Sequence, residues 1–204
     1  MSNDDLQFWN DRFATDAYVF GTAPCAFLAA SRPLLPASGR ALAIADGEGR
    51  NGVFLAECGL DVLSLDFSPT AQAKAQALAA ARGVALATET ADLLAWTWPE
   101  AEYDVIAAVF FQFCAPEGRA KIFDGLRRAL KPGGLLLLEG YRPEQLAYAT
   151  GGPKQVENLY TREILEAAFG DFLDLEIRAY DAEIDEGHAH VGLSALIDLT
   201  GRRP

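Results

Sequence analysis

Short apolar runs alternate with amphipathic stretches along most of the chain. Ala41 to Ala45 (ALAIA) has the character of a strand buried on both faces, and it turns through Asp46-Gly47-Glu48-Gly49 into a helical stretch that starts near Arg50, runs through Val53 to Cys58 and stops at Gly59. DVLSLD (61–66) reads as a second strand ending on an acid. Ser68 then offers an N-cap and Pro69 a first helical position to the alanine-rich run from Thr70 to Arg82, which Gly83 closes. Val84 to Thr88 is the expected third strand and YDVIAAVFF (103–111) the central fourth. An amphipathic helix from Pro116 to Leu130 follows, closed by Lys131-Pro132-Gly133-Gly134, and Leu135 to Gly140 is the fifth strand.

The two ends are patterned differently. Asp4 to Phe13 sets Leu6, Phe8, Trp9 and Phe13 among acids and amides, as in a short amphipathic helix capped near Asn3 or Asp4. An aromatic loop, Tyr18-Val19-Phe20-Gly21-Thr22, precedes a helical segment from Ala26 to Ser31 and a turn with Pro33 and Pro36. These aromatics serve either as core or as a lid over a ligand. Beyond Thr150-Gly151-Gly152-Pro153, a loop composition, Thr161 caps a helix from Arg162 to Phe169. Phe172 to Ile184 and Val191 to Leu199 are the last strands, and the short Asp185-Glu186-Gly187-His188 link makes them antiparallel.

This order predicts an α/β fold: a doubly wound seven-stranded sheet, mostly parallel with an antiparallel C-terminal strand, and an N-terminal helical cap. We expect a single domain over 1–204, with a cap or lid at 1–38, a ligand-binding core at 39–142, and a substrate loop and β-hairpin at 143–204. In such sheets the ligand crevice lies at the carboxyl ends of the strands, where Asp46, Asp66, Asp92, Val109 and Phe110 fall.

Charge narrows the ligand. A net charge of −12 and a pI near 4.5 oppose nucleic acid or an anionic membrane surface as partner and favour a small molecule. No run approaches the roughly 20 apolar residues of a membrane span, and the N-terminus carries no basic-then-apolar signal pattern, so a cytoplasmic protein is expected. Cys25, Cys58 and Cys114 form no metal-spaced cluster, and His188 with His190 lacks a third ligand of clear spacing, so no metal is expected.

Gly47, Gly49 and Gly52 match GxGxxG, and Asp66 lies 19 residues after Gly47, which fits a nicotinamide dinucleotide enzyme. Asp46 and Glu48, however, stand where a pyrophosphate would approach and would repel it unless turned away or neutralised. A cationic ligand escapes that penalty.

DGEGRN, the acid-ended VLSLD, Asp92-Leu93, YDVI and LKPGG, in order over about residues 40 to 140, resemble the motifs of class I S-adenosylmethionine-dependent methyltransferases. The flanking YVFGTAP, TGGPK and EGHAHVG resemble the small-molecule branch of tellurite-resistance and thiopurine type. The resemblance implies a Rossmann-like fold, S-adenosylmethionine as cofactor, and methyl transfer by in-line displacement to a small acceptor, such as a thiol, selenol or related soft nucleophile. It also implies that Asp66 accepts from the ribose hydroxyls, Phe67 covers one adenine face, and Asp92 with Leu93 reads the adenine edge. Ala45, Asp46, Gly47, Gly49 and Arg50 would form the loop under the methionine end, with Val109 at the end of the fourth strand. Tyr18, Phe20 and Gly21 would close over the cofactor. Tyr141, Arg142 and His190 are the candidate acceptor-side residues, with Arg142 suited to an anionic acceptor. The chain departs from the family's acid-x-Gly-x-Gly-x-Gly opening, with Ala43 in the acid's place and Ala45 in the first glycine's. Asp46 or the Glu48 to Arg50 region is expected to supply the missing carboxylate. An NAD(P)-dependent oxidoreductase and a non-catalytic adenosylmethionine-binding protein are the alternatives.

Overall fold

The computed structural model describes residues 2–187 and 190–204. Seven strands form one sheet: β1 (Arg40–Ile44), β2 (Asp61–Asp66), β3 (Ala87–Thr90), β4 (Tyr103–Val109), β5 (Leu130–Tyr141), β6 (Leu173–Asp185) and β7 (Val191–Arg202). Their order is β3-β2-β1-β4-β5-β7-β6. Only β7 runs against its neighbours, pairing antiparallel with both β5 and β6. The expected mostly parallel sheet with one antiparallel C-terminal strand is therefore what forms.

Seven α-helices accompany it among the described residues: α1 (Asn3–Phe13), α2 (Ala26–Ala30), α3 (Arg50–Glu57), α4 (Pro69–Arg82), α5 (Pro116–Ala129), α6 (Gln145–Tyr148) and α7 (Arg162–Phe169). The apolar inner strands are sandwiched. One core holds Leu42, Ile44, Ile106, Leu136 and Leu138 with Ile122 and Leu126 of α5, and the opposite one holds Ala41, Val105, Leu135 and Leu137 with Phe54 and Leu55 of α3 and Leu28 of α2. No helix among the described residues is long and apolar enough to cross a membrane.

Local signals fix the helix starts. The Ser68 hydroxyl accepts from the Ala71 amide with Pro69 in the first turn, and the Thr161 hydroxyl accepts from the Ile164 amide. At α1 the cap is Ser2, one residue earlier than expected, in a reciprocal capping box with Asp5. The third strand begins at Ala87 rather than Val84, because Val84 closes α4 through its amide to the Ala79 carbonyl. β5 absorbs the whole Lys131 to Gly134 segment expected as a turn, with a register shift against β4 between Tyr103 and Val105.

Candidate active site

A cavity of about 710 Å³ opens at the carboxyl ends of β1, β2 and β4. Its floor is the β1–α3 loop, its roof is α1 with the Phe20-Gly21 segment, and its far wall is formed by Phe110, Tyr141, the Gly151 to Pro153 loop and His190.

The three loop glycines do different work. Gly47 lies in the floor, and its amide donates to Asp66 Oδ2 at 2.8 Å. A Cβ on Gly49 would stand 2.6 Å from the Ala75 Cβ, so this glycine permits α3 to pack on α4 and is absent from the cavity wall. That differs from the expected role of Gly49 in ligand approach. A Cβ on Gly52 would stand 2.4 Å from Asp46 Oδ2, and its absence lets the Asp46 carboxylate reach the Gly52 amide at 3.1 and 3.2 Å.

Asp46 is thereby turned toward the protein. It caps α3 and accepts from Ser64 Oγ at 2.7 Å, and burial raises its pKa to about 7 despite those bonds. Glu48 accepts from the Val19 amide at 2.7 Å and forms an ion pair with Lys74. The two acids expected to repel a pyrophosphate are thus turned away or neutralised, so their charge no longer decides between ligands. Asp46 therefore differs from the expected substitute carboxylate for the methionine end: it is spent capping α3 and bonding Ser64 on the protein side of the loop.

Asp66 is organised for ligand. Its two oxygens are fixed by the Gly47 and Ser68 amides, each at 2.8 Å, the residue lines the cavity, and a carboxylate oxygen can accept a second hydrogen bond. Burial raises its pKa to about 6, which those amide bonds partly oppose. Phe67, Leu93 and Val109 line the same side. Asp92 is not among the lining residues, and its carboxylate accepts from the Leu94 amide at 2.9 Å.

Ala45 and Phe110, both on the cavity wall, take left-handed backbone conformations with φ of 46° and 52°. Each costs on the order of 1 kcal/mol or more in a non-glycine residue, and such strain concentrates at functional sites. Ala45 stands where the family pattern places glycine, and it adopts the backbone a glycine would take freely.

The acceptor side centres on His190. Its ring lies 4.7 Å from Phe20, 4.8 Å from Phe110 and 5.7 Å from Tyr141, centroid to centroid. Burial holds its pKa below the usual histidine value, so the ring is neutral at pH 7. Glu186 lies 3.7 Å from Nδ1 and 2.8 Å from Arg50 Nη2. Burial alone would raise the Glu186 pKa, but His190 and Arg50 overcome it and hold it at about 2. Gly187 ties the hairpin to the aromatic loop, since a Cβ there would meet the Val19 carbonyl at 2.5 Å. His188 lies outside the described residues.

Two sequence candidates sit elsewhere. Tyr18 packs beside Val53 and Leu78, and its hydroxyl donates to the Lys74 carbonyl at 3.2 Å. Arg142 is committed to Asp181 and lies 3.4 Å from Glu144, so it offers no free cation to an acceptor. Conversely, Arg12 and Gln112 line the cavity and escaped the sequence reading. Gln112 positions Tyr141, donating to its carbonyl at 2.9 Å and accepting from its amide at 2.6 Å. The signal for Arg12 was a cation inside the aromatic run Phe8 to Phe13.

Comparison with known proteins shows what the fold is similar to. A family described as "Methyltransferase domain" matches residues 41–134, the segment that carries the glycine loop, Asp66 and β4. No curated protein matches the chain in sequence. A structure from work on the conversion of a disulfide bond into a thioacetal group during echinomycin biosynthesis is 18% identical with a TM-score of 0.76, over 97% of this chain and 92% of that one. TehB from Haemophilus influenzae is 18% identical with a TM-score of 0.70, over 98% of this chain and 67% of its own. The N-methyltransferase NodS from Bradyrhizobium japonicum WM9, in complex with S-adenosyl-L-homocysteine, is 15% identical with a TM-score of 0.70, over 99% and 100%. The chain therefore has the fold of class I S-adenosylmethionine-dependent methyltransferases, with residues 41–134 matching the methyltransferase-domain family.

Proposed function

We propose that this protein transfers a methyl group from S-adenosylmethionine to a small molecule whose nucleophile is a thiol, selenol or related soft centre. The observation that carries the reading is the convergence of buried polar atoms without protein partners on one cleft. Tyr141 Oη and Arg12 Nε make no hydrogen bond, His190 Nδ1 has only Glu186 at 3.7 Å, and all three residues line the cavity that also holds Asp66 and the glycine loop. Buried groups left so are costly unless a ligand satisfies them.

The residues fit the cofactor. Asp66 presents fixed acceptors for a ribose diol, and Phe67 and Leu93 flank the place of a flat base. When bound, the cofactor supplies an activated methyl on a sulfonium, which leaves as a neutral thioether. The protein's task is alignment and exclusion of water, served by the roof of Phe13, Phe20 and Trp9. His190 accepts the proton of the nucleophile: its neutral ring has Glu186 beside Nδ1, and the imidazolium formed is stabilised by that carboxylate. Tyr141 orients the acceptor through its unpartnered hydroxyl, which burial keeps protonated.

A soft acceptor is favoured because the walls beside His190 are aromatic, and sulfur packs favourably against ring edges. The structural neighbour from echinomycin biosynthesis concerns sulfur chemistry, which is consistent with this, whereas NodS is an N-methyltransferase. Incubating the enzyme with S-adenosylmethionine and a matched aryl thiol, phenol and aniline, and weighing the products by mass spectrometry, tests the reading. Preferential S-methylation is expected. Turnover of the aniline or phenol alone would overturn the soft-nucleophile assignment.

A further inference from the structure

The charges around the cavity leave one group without a counterpart. Asp5, Asp46, Glu48 and Asp66 are the carboxylates on the wall, and each already accepts from protein donors: Asp5 from Ser2, Asp46 from Gly52 and Ser64, Glu48 from Val19, and Asp66 from Gly47 and Ser68. The two cationic side chains on the wall are Arg50 and Arg12. Arg50 is paired with Glu186 at 2.8 Å. Arg12 forms no ion pair and no hydrogen bond among the described residues, and its Nε is buried without a partner.

Arg12 is nevertheless held in place. Its guanidinium lies 5.7 Å from the Trp9 ring centroid and 5.4 Å from that of Phe20, which fixes a cation without consuming its donors. The next residue, Phe13, lies over Gly47, with its Cζ 3.5 Å from where a Cβ would stand. The helix thus suspends an unspent fork of donors above the glycine loop, between the floor and His190. A guanidinium presented in this way suits a carboxylate, which it can bind through two parallel hydrogen bonds.

We propose that Arg12 binds the carboxylate at the methionine end of the cofactor, so that α1 completes the cofactor site as well as roofing the cleft. This rests on the adenosylmethionine reading above. It gives the carboxylate of that end an anchor from outside the loop, where Ala43 and Ala45 stand and Asp46 is turned inward. An anionic group on the acceptor has the same chemistry, and the ligands of the test separate the two sources.

Calorimetric titration of wild type, Arg12→Gln and Arg12→Lys with S-adenosylhomocysteine and with 5′-methylthioadenosine, which lacks the amino-acid carboxylate, provides the test. Arg12→Gln is expected to weaken S-adenosylhomocysteine by about 10- to 100-fold, as for loss of a charge-assisted bond, and to leave methylthioadenosine within about twofold. Arg12→Lys, which keeps charge but not the fork, should fall between. Equal loss for both ligands would mean that the cleft itself is disturbed, and no loss for either would assign Arg12 to the acceptor or to solvent; each overturns the proposal. Wild type that binds neither ligand would instead overturn the cofactor reading.

Discussion

The floor and the roof of the cleft are built on opposite principles. In the floor, from β1 to the start of α4, nearly every polar group is spent within the protein: Asp46 on Gly52 and Ser64, and Asp66 on Gly47 and Ser68. In the roof and far wall, from α1, the aromatic loop and the β6–β7 hairpin, polar groups are left unspent among aromatic rings, as Arg12, Tyr141 and His190 show. A frame satisfied by its own backbone stays rigid with or without ligand, whereas unsatisfied buried groups need one. On the reading proposed above, the floor seats the nucleoside end of the cofactor, and the roof closes over its methionine end and faces the acceptor.

The sharpest way to break the floor is Gly49→Ala. The new methyl would overlap Ala75 and sit at a φ of 86°, so a loss of about 3 kcal/mol or more is expected, read as a fall in urea midpoint. An unchanged midpoint would mean that the packing of α3 on α4 is not close. Asp66→Ala should weaken S-adenosylhomocysteine by about one to two orders of magnitude in calorimetry, the worth of a charged acceptor facing a hydroxyl.

A third experiment separates the cleft's pH response from that of the core. Glu139 of β5 faces Asp198 of β7 in register, both buried, and burial first and each other's charge second raise Glu139 to about 8. A carboxyl whose folded pKa is raised contributes stability that is fully present below its unfolded pKa of 4.5 and is lost as pH climbs through 8. Stability should thus fall on going from pH 6 to pH 8, and Glu139→Gln should remove about 2 kcal/mol of that fall. Melting curves across that range with identical slopes in both proteins would refute the pairing.

The smallest effect belongs to the roof. With burial holding its pKa below the usual histidine value, His190 becomes a competent base as pH rises through that lower value, so kcat/KM should climb there and level off by neutrality. His190→Gln should lower kcat about tenfold for a weakly ionised acceptor and abolish the inflection. A profile unchanged by the substitution would remove His190 from proton transfer.

The same contrast explains what was legible in the sequence. Ser68-Pro69, Thr161, the acid closing β2 and the glycine loop carry local signals, and the fold they imply is the one that forms. The direction of a side chain is not local. Asp46 reads identically whether its carboxylate faces a ligand or its own helix, and only the missing Cβ at Gly52 lets it turn inward. Arg142 looked available because Asp181, on β6, is distant in sequence. Arg12 carries no decisive signal, because a cation on an exposed amphipathic helix is ordinary and only the placement of that helix over the glycine loop distinguishes it. The short α6 carries no capping side-chain bond that could have announced it.

Amide hydrogen exchange with and without S-adenosylhomocysteine tests the division most directly. The account predicts that ligand slows exchange chiefly in α1, the Phe20-Gly21 segment and the β6–β7 hairpin, while the amides of β1 and β2, already protected, change little. Protection gained in the floor alone, or gained equally with a nicotinamide dinucleotide, would contradict it.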